Sequence, residues 1–341
     1  MRKSIASGSE KIRRRRYWKN EEGQELTGHI SRILKKYPLI VLDGAFATEL
    51  ERQGFSIRDE LWSAVALYEN PELVKAVHRS YLEAGADIIG SASYQATVPG
   101  FMKKGFTKKE AEELLKRSVR LVQEARDEFL SSPLCENRPV PLVAASVGPY
   151  GAYLADGSEY RGHYGVSEKE LADFHRERLS VLLSQGPDIL ACETVPSLEE
   201  AEVIVSVLHE WPDASAWISF SCRDEKYTCG GDLIAHCAAV LDKKKQVEAI
   251  GVNCTDPRYV EALMGEIRKE TDKPVAVYPN RGEVWDAVNK KWTGSPVSYG
   301  DYVEKWQKSG ASLIGGCCRT TPEDIRGIAK FRAALLTEKN K

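Results

Sequence analysis

Past residue 37 the chain alternates between two hydrophobic patterns. Short β-branched and apolar runs stand at 39–43, 87–93, 141–147, 188–192, 216–221, 249–253, 274–278 and 312–316. They are continuous rather than alternating, which suits parallel strands covered on both faces. Longer segments with helical spacing separate or follow them, at 71–84, 107–130, 168–185, 198–210, 231–243, 257–269, 299–309 and 322–337. Boundary residues agree. Pro71 follows Asn70 at a first helical position, and Gly85 closes that helix. Ser167 with Glu170, and Ser197 with Glu200, have the spacing of capping boxes. Eight β–α alternations without a long break predict a single-domain α/β fold, a TIM-type (β/α)8 barrel spanning 38–341. A doubly wound open sheet is the competing architecture. No G-x-G-x-x-G follows the first strand, which disfavours its dinucleotide-binding form.

One connection departs from the pattern. Residues 148–166 (GPYGAYLADGSEYRGHYGV) are long for a strand-to-helix loop, and their tyrosines argue against simple disorder. They read as a lid over a site.

Charge divides the chain once more. The net charge is −2, yet residues 1–37 hold eleven Lys or Arg against four Asp or Glu. They read as a solvated basic N-terminal extension. The remainder, with 37 basic and 46 acidic residues, offers no general attraction to nucleic acid or membrane. The run Arg13–Arg16 lacks the interleaved aromatics of a nucleic-acid platform. No apolar stretch reaches the roughly 18 residues of a membrane span, and no apolar core of a secretory signal opens the chain. Eight scattered cysteines do not form a disulfide scaffold, so a reducing, cytoplasmic location is expected. Nothing in the pattern specifies an oligomeric state.

In such a barrel, functional groups gather where the strands end. Asp43 ends the first strand, Tyr94, Glu193, Cys254 and Asn280 stand just past the second, fourth, sixth and seventh, and Cys317 and Cys318 past the eighth. Three cysteines thus converge on one face. Three thiolates make a soft site of the kind Zn²⁺ accepts. No Cys or His at the seventh strand end closes a tetrahedron, so a position stays open, as in catalytic zinc sites. Gly315 and Gly316 are expected to let the backbone bend so that adjacent cysteines reach one ion. The competing reading is that a cysteine at a strand end is core. That reading is given to Cys135, Cys192, Cys222, Cys229 and Cys237, of which Cys222 and Cys229 flank a loop near the site. Asp43 before Gly44 could serve only a turn. Glu193 after an apolar strand is costly without a partner.

The runs DGAFATEL (43–50), SASYQAT (91–97), SVGPYGAYLADGSEYRG (146–162), ACETVP (191–196), GVNC (251–254), YPNRGE (278–283) and IGGCCRTTP (314–322) resemble the homocysteine S-methyltransferase family. The likeness runs from about residue 39 to the end. Within the family, the 146–162 stretch resembles the branch using S-methylmethionine or S-adenosylmethionine rather than betaine. The resemblance implies that Cys254, Cys317 and Cys318 hold zinc, that the open position takes the homocysteine sulfur, and that Asp43 and Glu193 hold the amino group. It further implies methionine as product. A selenocysteine-type acceptor and betaine as donor are the variants left open. A cationic donor calls for an aromatic or acidic wall, for which Tyr94, Tyr150, Tyr153, Tyr160, Tyr278 and Trp285 are candidates, with Asn280 at the donor's polar end. Two other classes compete. A non-catalytic zinc-binding barrel would have no use for Asp43 and Glu193 beside an open position. A barrel lyase or aldolase wants a Schiff-base lysine or a phosphate loop, and no Lys stands at a strand end.

Overall fold

The computed structural model describes residues 28–57, 59, 61–136, 138–286 and 291–339. Eight parallel strands form one sheet: β1 (Ile40–Val41), β2 (Ile88–Gly90), β3 (Leu142–Val147), β4 (Ile189–Val195), β5 (Ala216–Phe220), β6 (Val247–Asn253), β7 (Val275–Tyr278) and β10 (Ala311–Ile314). An antiparallel hairpin, β8 (Val284–Asp286) and β9 (Lys291–Thr293), is inserted after β7. The sheet runs in chain order from β2 to β7, then β10, then β1, and a parallel bridge between Leu42 and Ile88 brings its ends together. This is the expected barrel. In β1 the Val41 N–H donates to the Asp87 carboxylate, at 2.8 Å, instead of to a strand carbonyl.

Strand residues alternate between two cores. Val41, Ile89, Val143, Leu190, Cys192, Ile218, Val252 and Val277 face the helices, while Ile40, Leu42, Ile88, Ala144, Ala191, Trp217, Ala249 and Ala276 fill the barrel. Both faces are apolar, which is why the strand sequences read as continuous runs. At Gly251 an added Cβ would lie 1.9 Å from the Ala276 carbonyl oxygen, so only glycine lets β6 and β7 approach this closely.

The barrel's floor begins earlier than the hydrophobic pattern suggests. Residues His29–Leu34 form a helix whose Ile30 and Ile33 are buried in the interior cluster. The Ile30 N–H donates to Glu248 at 2.8 Å. Residues 28–37, assigned to the extension, therefore plug the barrel's N-terminal end. A single helical turn and a half carries too few apolar positions to announce itself by period. The basic run Arg13–Arg16 lies outside the described residues.

Helix ends follow local chemistry. Pro71–Ala84 begins on the Asn70 side chain and stops at Gly85 in the left-handed region. Glu168–Leu183 carries the full Ser167–Glu170 capping box. The Ser197–Glu200 pair closes only half of one. Ser197 accepts the Glu200 N–H, but the Glu200 carboxylate turns inward, fully buried, to other partners. Among the described residues no helix is long and apolar enough to cross a membrane.

Candidate functional site

The strand alternation places the site's polar floor. Two residues beyond the interior layer of Ala144, Ala191, Trp217 and Ala276 stand Ser146, Glu193, Ser219 and Tyr278. The period of two that buries the apolar layer thus aims these groups into the barrel mouth. Ser146 Oγ and the Tyr278 hydroxyl donate to Glu193. Tyr278 OH in turn accepts from Trp217 Nε1 at 2.9 Å and pairs with Ser219 Oγ. Burial pushes the Glu193 carboxyl up to about 7, against the pull of these hydroxyls. Asp43 accepts the Gly90 N–H at 2.8 Å. Burial pushes it up to about 8, with further repulsion from Glu193. Two carboxyls raised in this way ionise readily once a cation arrives between them.

The cysteines expected to converge do so. The sulfurs of Cys254, Cys317 and Cys318 all lie within 4.8 Å of one another, and Cys254 and Cys318 are 3.7 Å apart. Zn–S bonds of about 2.3 Å at tetrahedral angles put ligand sulfurs about 3.8 Å apart. The donor set and its spacing therefore fit a thiophilic metal ion. Within the cluster, hydrogen bonds from Cys317 and Cys318 pull the Cys254 thiol well below its ordinary range and push the other two up.

Backbone strain marks the same place. Thr194, Cys254 and Arg319 take φ of 59°, 48° and 71°, left-handed values that side chains rarely adopt. Each is held from outside. Thr194 N–H donates to Asn253 Oδ1 at 2.7 Å, and Asn253 Nδ2 returns a bond to Thr194 Oγ1 at 2.8 Å. Cys254 N–H donates to the Tyr278 carbonyl at 3.3 Å, and Arg319 N–H to Thr48 Oγ1 at 3.2 Å. The expected role of Gly315 and Gly316 is corrected here: neither takes a positive φ. An added Cβ would meet the Leu42 Cβ at 2.5 Å in one case and Thr320 Oγ1 at 2.3 Å in the other. Glycine is needed for space, and Arg319 carries the turn.

The remaining candidates separate into two groups. Tyr94 lies in the field of Cys254 and Cys317 and hydrogen-bonds Thr194. The Asn280 side chain hydrogen-bonds Cys254, and its Oδ1 is buried with no partner among the described residues. The Tyr160 hydroxyl sits 3.1 Å from Cys254 Sγ. By contrast Tyr150 and Tyr153 pack on one another and on Phe174, with Lys103 over the Tyr153 ring. Tyr278 spends its hydroxyl on the Glu193 network. The Trp285 side chain lies outside what is described. Cys192, Cys222 and Cys237 are buried, and burial raises their thiols and that of Cys229, as core cysteines require.

Several positioning residues escaped the sequence reading. Arg178, fully buried, donates to the carbonyls of Gly148, Ser93 and Tyr94, fastening the ends of β2 and β3. Glu200 accepts from Tyr150 N at 2.6 Å, from the Tyr164 hydroxyl at 2.6 Å, and pairs with His175 at 2.9 Å. That carboxylate ties the 148–166 loop to the barrel wall. A signal existed: His175 and Arg178 share the buried stripe of their helix with Leu171, Leu179 and Leu182, where an ionisable group needs a partner.

Three thiols and two carboxyls at the C-terminal mouth of a β/α barrel make a donor set suited to thiol chemistry and able to hold a metal ion. A family model described as homocysteine S-methyltransferase matches residues 40–332. The chain is 52% identical over 311 residues to Homocysteine S-methyltransferase YbgG of Bacillus subtilis, covering 90% of this chain and 99% of that one. It is 51% identical over 303 residues to Homocysteine S-methyltransferase 1 of Zea mays, covering 85% and 93%. The metallated form of the homocysteine methyltransferase MmuM from Escherichia coli superposes with a TM-score of 0.81 at 42% identity, over 89% of this chain and 99% of that one. This chain belongs to the homocysteine S-methyltransferase family.

Proposed function

We propose that this protein transfers a methyl group from a sulfonium donor, S-methylmethionine foremost and S-adenosylmethionine second, to the sulfur of homocysteine, with zinc on Cys254, Cys317 and Cys318. The observation carrying this reading is the placement of three sulfurs within 4.8 Å of one another in the mouth that also holds the buried carboxyls of Asp43 and Glu193. Homocysteine bears a thiol and an ammonium, and these two groups of side chains answer them in turn.

Bound zinc would supply acidity toward a thiol, so that the acceptor sulfur is deprotonated near neutral pH, where a free thiol with a pKa of about 8.5 is not. Asp43 and Glu193 hold the ammonium by charge-assisted hydrogen bonds. Ser146 and Tyr278 fix the Glu193 rotamer. Asn280 steadies the Cys254 sulfur. The 148–166 loop, tied down through Glu200, covers the mouth and limits water. The acceptor sulfur's electron pair forms a bond to the methyl carbon, the donor's S–C bond breaks, and that pair stays on the donor sulfur. The leaving group is a neutral thioether, so no general acid is needed. Alignment of the two sulfurs is the protein's main task.

Betaine also joins a cation to a carboxylate, so charge alone does not exclude it. It lacks the α-amino group of S-methylmethionine, and a site that hydrogen-bonds such a group rejects analogues without it. Competition kinetics at fixed homocysteine tests the reading. S-Methylmethionine should outrun betaine by a wide margin. Equal or better turnover with betaine overturns the donor assignment, and absence of methionine with every donor overturns the activity.

A further inference from the structure

Beside the cysteines the 148–166 loop carries a carboxylate that nothing above employs. Residues Ser158–Tyr160 form a single 3-10 turn packed against the end of β4. The turn is pinned from within. Ser158 N–H donates to Asp156 at 2.9 Å, and Gly162 N–H to the Ser158 carbonyl at 2.9 Å. It is pinned from behind as well, where a Cβ at Gly151 would lie 2.3 Å from the Glu159 nitrogen. One end of the turn fixes the Tyr160 hydroxyl 3.1 Å from Cys254 Sγ. The neighbouring Glu159 has its Oε2 buried with no hydrogen-bond partner among the described residues. Burial raises this carboxyl, a hydrogen bond from its own backbone N–H offsets part of that, and the negative charge of Cys254 raises it again. Asp156 adds repulsion, and Arg161, which lies 3.9 Å from Asp156, offsets it least.

Resting on the methyl-transfer reading, we propose that Glu159 is a specificity residue that binds the donor's sulfonium cation, with the Tyr160 and Tyr94 rings completing the wall. The argument is one of charge. Asp43 and Glu193 answer the single ammonium of homocysteine, which leaves Glu159 to one of the donor's two cations, its ammonium or its sulfonium. The methyl carbon has to lie against the acceptor sulfur, and that sulfur has to lie beside Cys254. The donor's sulfonium therefore enters the field of Glu159.

This contact has a distinctive kinetic consequence. The sulfonium charge is full in the bound donor, partly dispersed in the transition state and absent in the thioether product. Glu159 therefore stabilises the bound donor more than the transition state. It serves capture of the donor and release of the product, and does not accelerate the chemical step.

The test is Glu159→Gln, which removes the charge and keeps the shape. Steady-state kinetics with homocysteine and S-methylmethionine should show KM for the donor raised about tenfold, the scale of a half-exposed charge contact. KM for homocysteine should stay put, and kcat should not fall. Calorimetric titration with S-methylmethionine and with neutral methionine should show a preference for the cation in the native protein that the variant loses. An unchanged donor KM overturns the proposal, as does an equal rise in both KM values or a fall in kcat alone. If the native protein fails to methylate homocysteine with any sulfonium, the underlying reading is what fails.

Discussion

Asn253 and Thr194 exchange two hydrogen bonds, of 2.7 and 2.8 Å, between the ends of β6 and β4. Each is the immediate neighbour of a site residue, Cys254 in one case and Glu193 in the other. Cys254 and Thr194 both hold left-handed backbone that costs about 1–3 kcal/mol apiece. The exchange therefore couples the cysteine cluster to the carboxylate pair. Asn253→Ala should weaken metal retention and homocysteine affinity together, with a stability loss of about 1–3 kcal/mol from the stranded Thr194 N–H. Metal analysis, homocysteine titration and denaturant unfolding on one preparation check it. Loss of one function with the other intact would show the two strand ends to be independent.

Cys254→Ser should abolish most metal binding, because a hydroxyl replaces a soft thiolate. Zinc at about one per chain in the native protein is the reference. Full zinc in both Cys254→Ser and Cys317→Ser would remove the cluster from metal chemistry.

Glu193→Gln should weaken homocysteine binding roughly ten- to a hundredfold, the 1.5–3 kcal/mol of a hydrogen bond to a charged group, with zinc content unchanged. Loss of zinc from this variant would mean that Glu193 shapes the cluster rather than the substrate.

The carboxyls also set a pH dependence. Asp43 at about 8 and Glu193 at about 7 hold protons near neutrality that an arriving ammonium displaces. Homocysteine affinity should therefore rise as pH increases from 6 to 8. Thiol ionisation adds a slope of the same sign, so the diagnostic is a difference: Asp43→Asn should flatten the profile relative to the native protein. The same shifts act on stability with the opposite sign. Between the unfolded value of 3.8 and about 8, the folded chain without substrate keeps the Asp43 proton that the unfolded chain has lost. That contribution is present at low pH and fades as pH rises through 8. Denaturation midpoints of the native and Asp43→Asn proteins between pH 5 and 8 check the sign.

Two N-terminal deletions should behave differently. Removing residues 1–27 should leave the methyl-transfer rate within a few-fold. Removing residues 1–37 also takes Ile30 and Ile33 out of the barrel floor, at about 1.5–3 kcal/mol for each buried side chain. Thermal unfolding should separate the two. Equal stability would show that the floor reseals without the helix.

The eight strands, most of the long helices and the convergence of Cys254, Cys317 and Cys318 were legible in the chain itself. These depend on local facts. Parallel strands covered on both faces leave continuous apolar runs, caps sit beside the helices they start, and barrel topology sends every strand's end to one side. The placement of Asp43 and Glu193 beside the cysteines followed from the same rule. What the tertiary structure decided was the use of groups whose partners are remote in sequence. The Glu200 spacing spelled a capping box, yet burial against Tyr150, Tyr164 and His175 outweighed an exposed cap. Gly315 and Gly316 looked like hinges, but their need is for room beside Leu42 and Thr320, which no local pattern records. Tyr150 and Tyr160 lie ten residues apart on one loop, and only packing sent the first to Phe174 and the second to Cys254. A sequence fixes the period of its side chains and the chemistry of its turns. Which polar atom finds which partner across the barrel mouth depends on distances that exist only once the strands have closed.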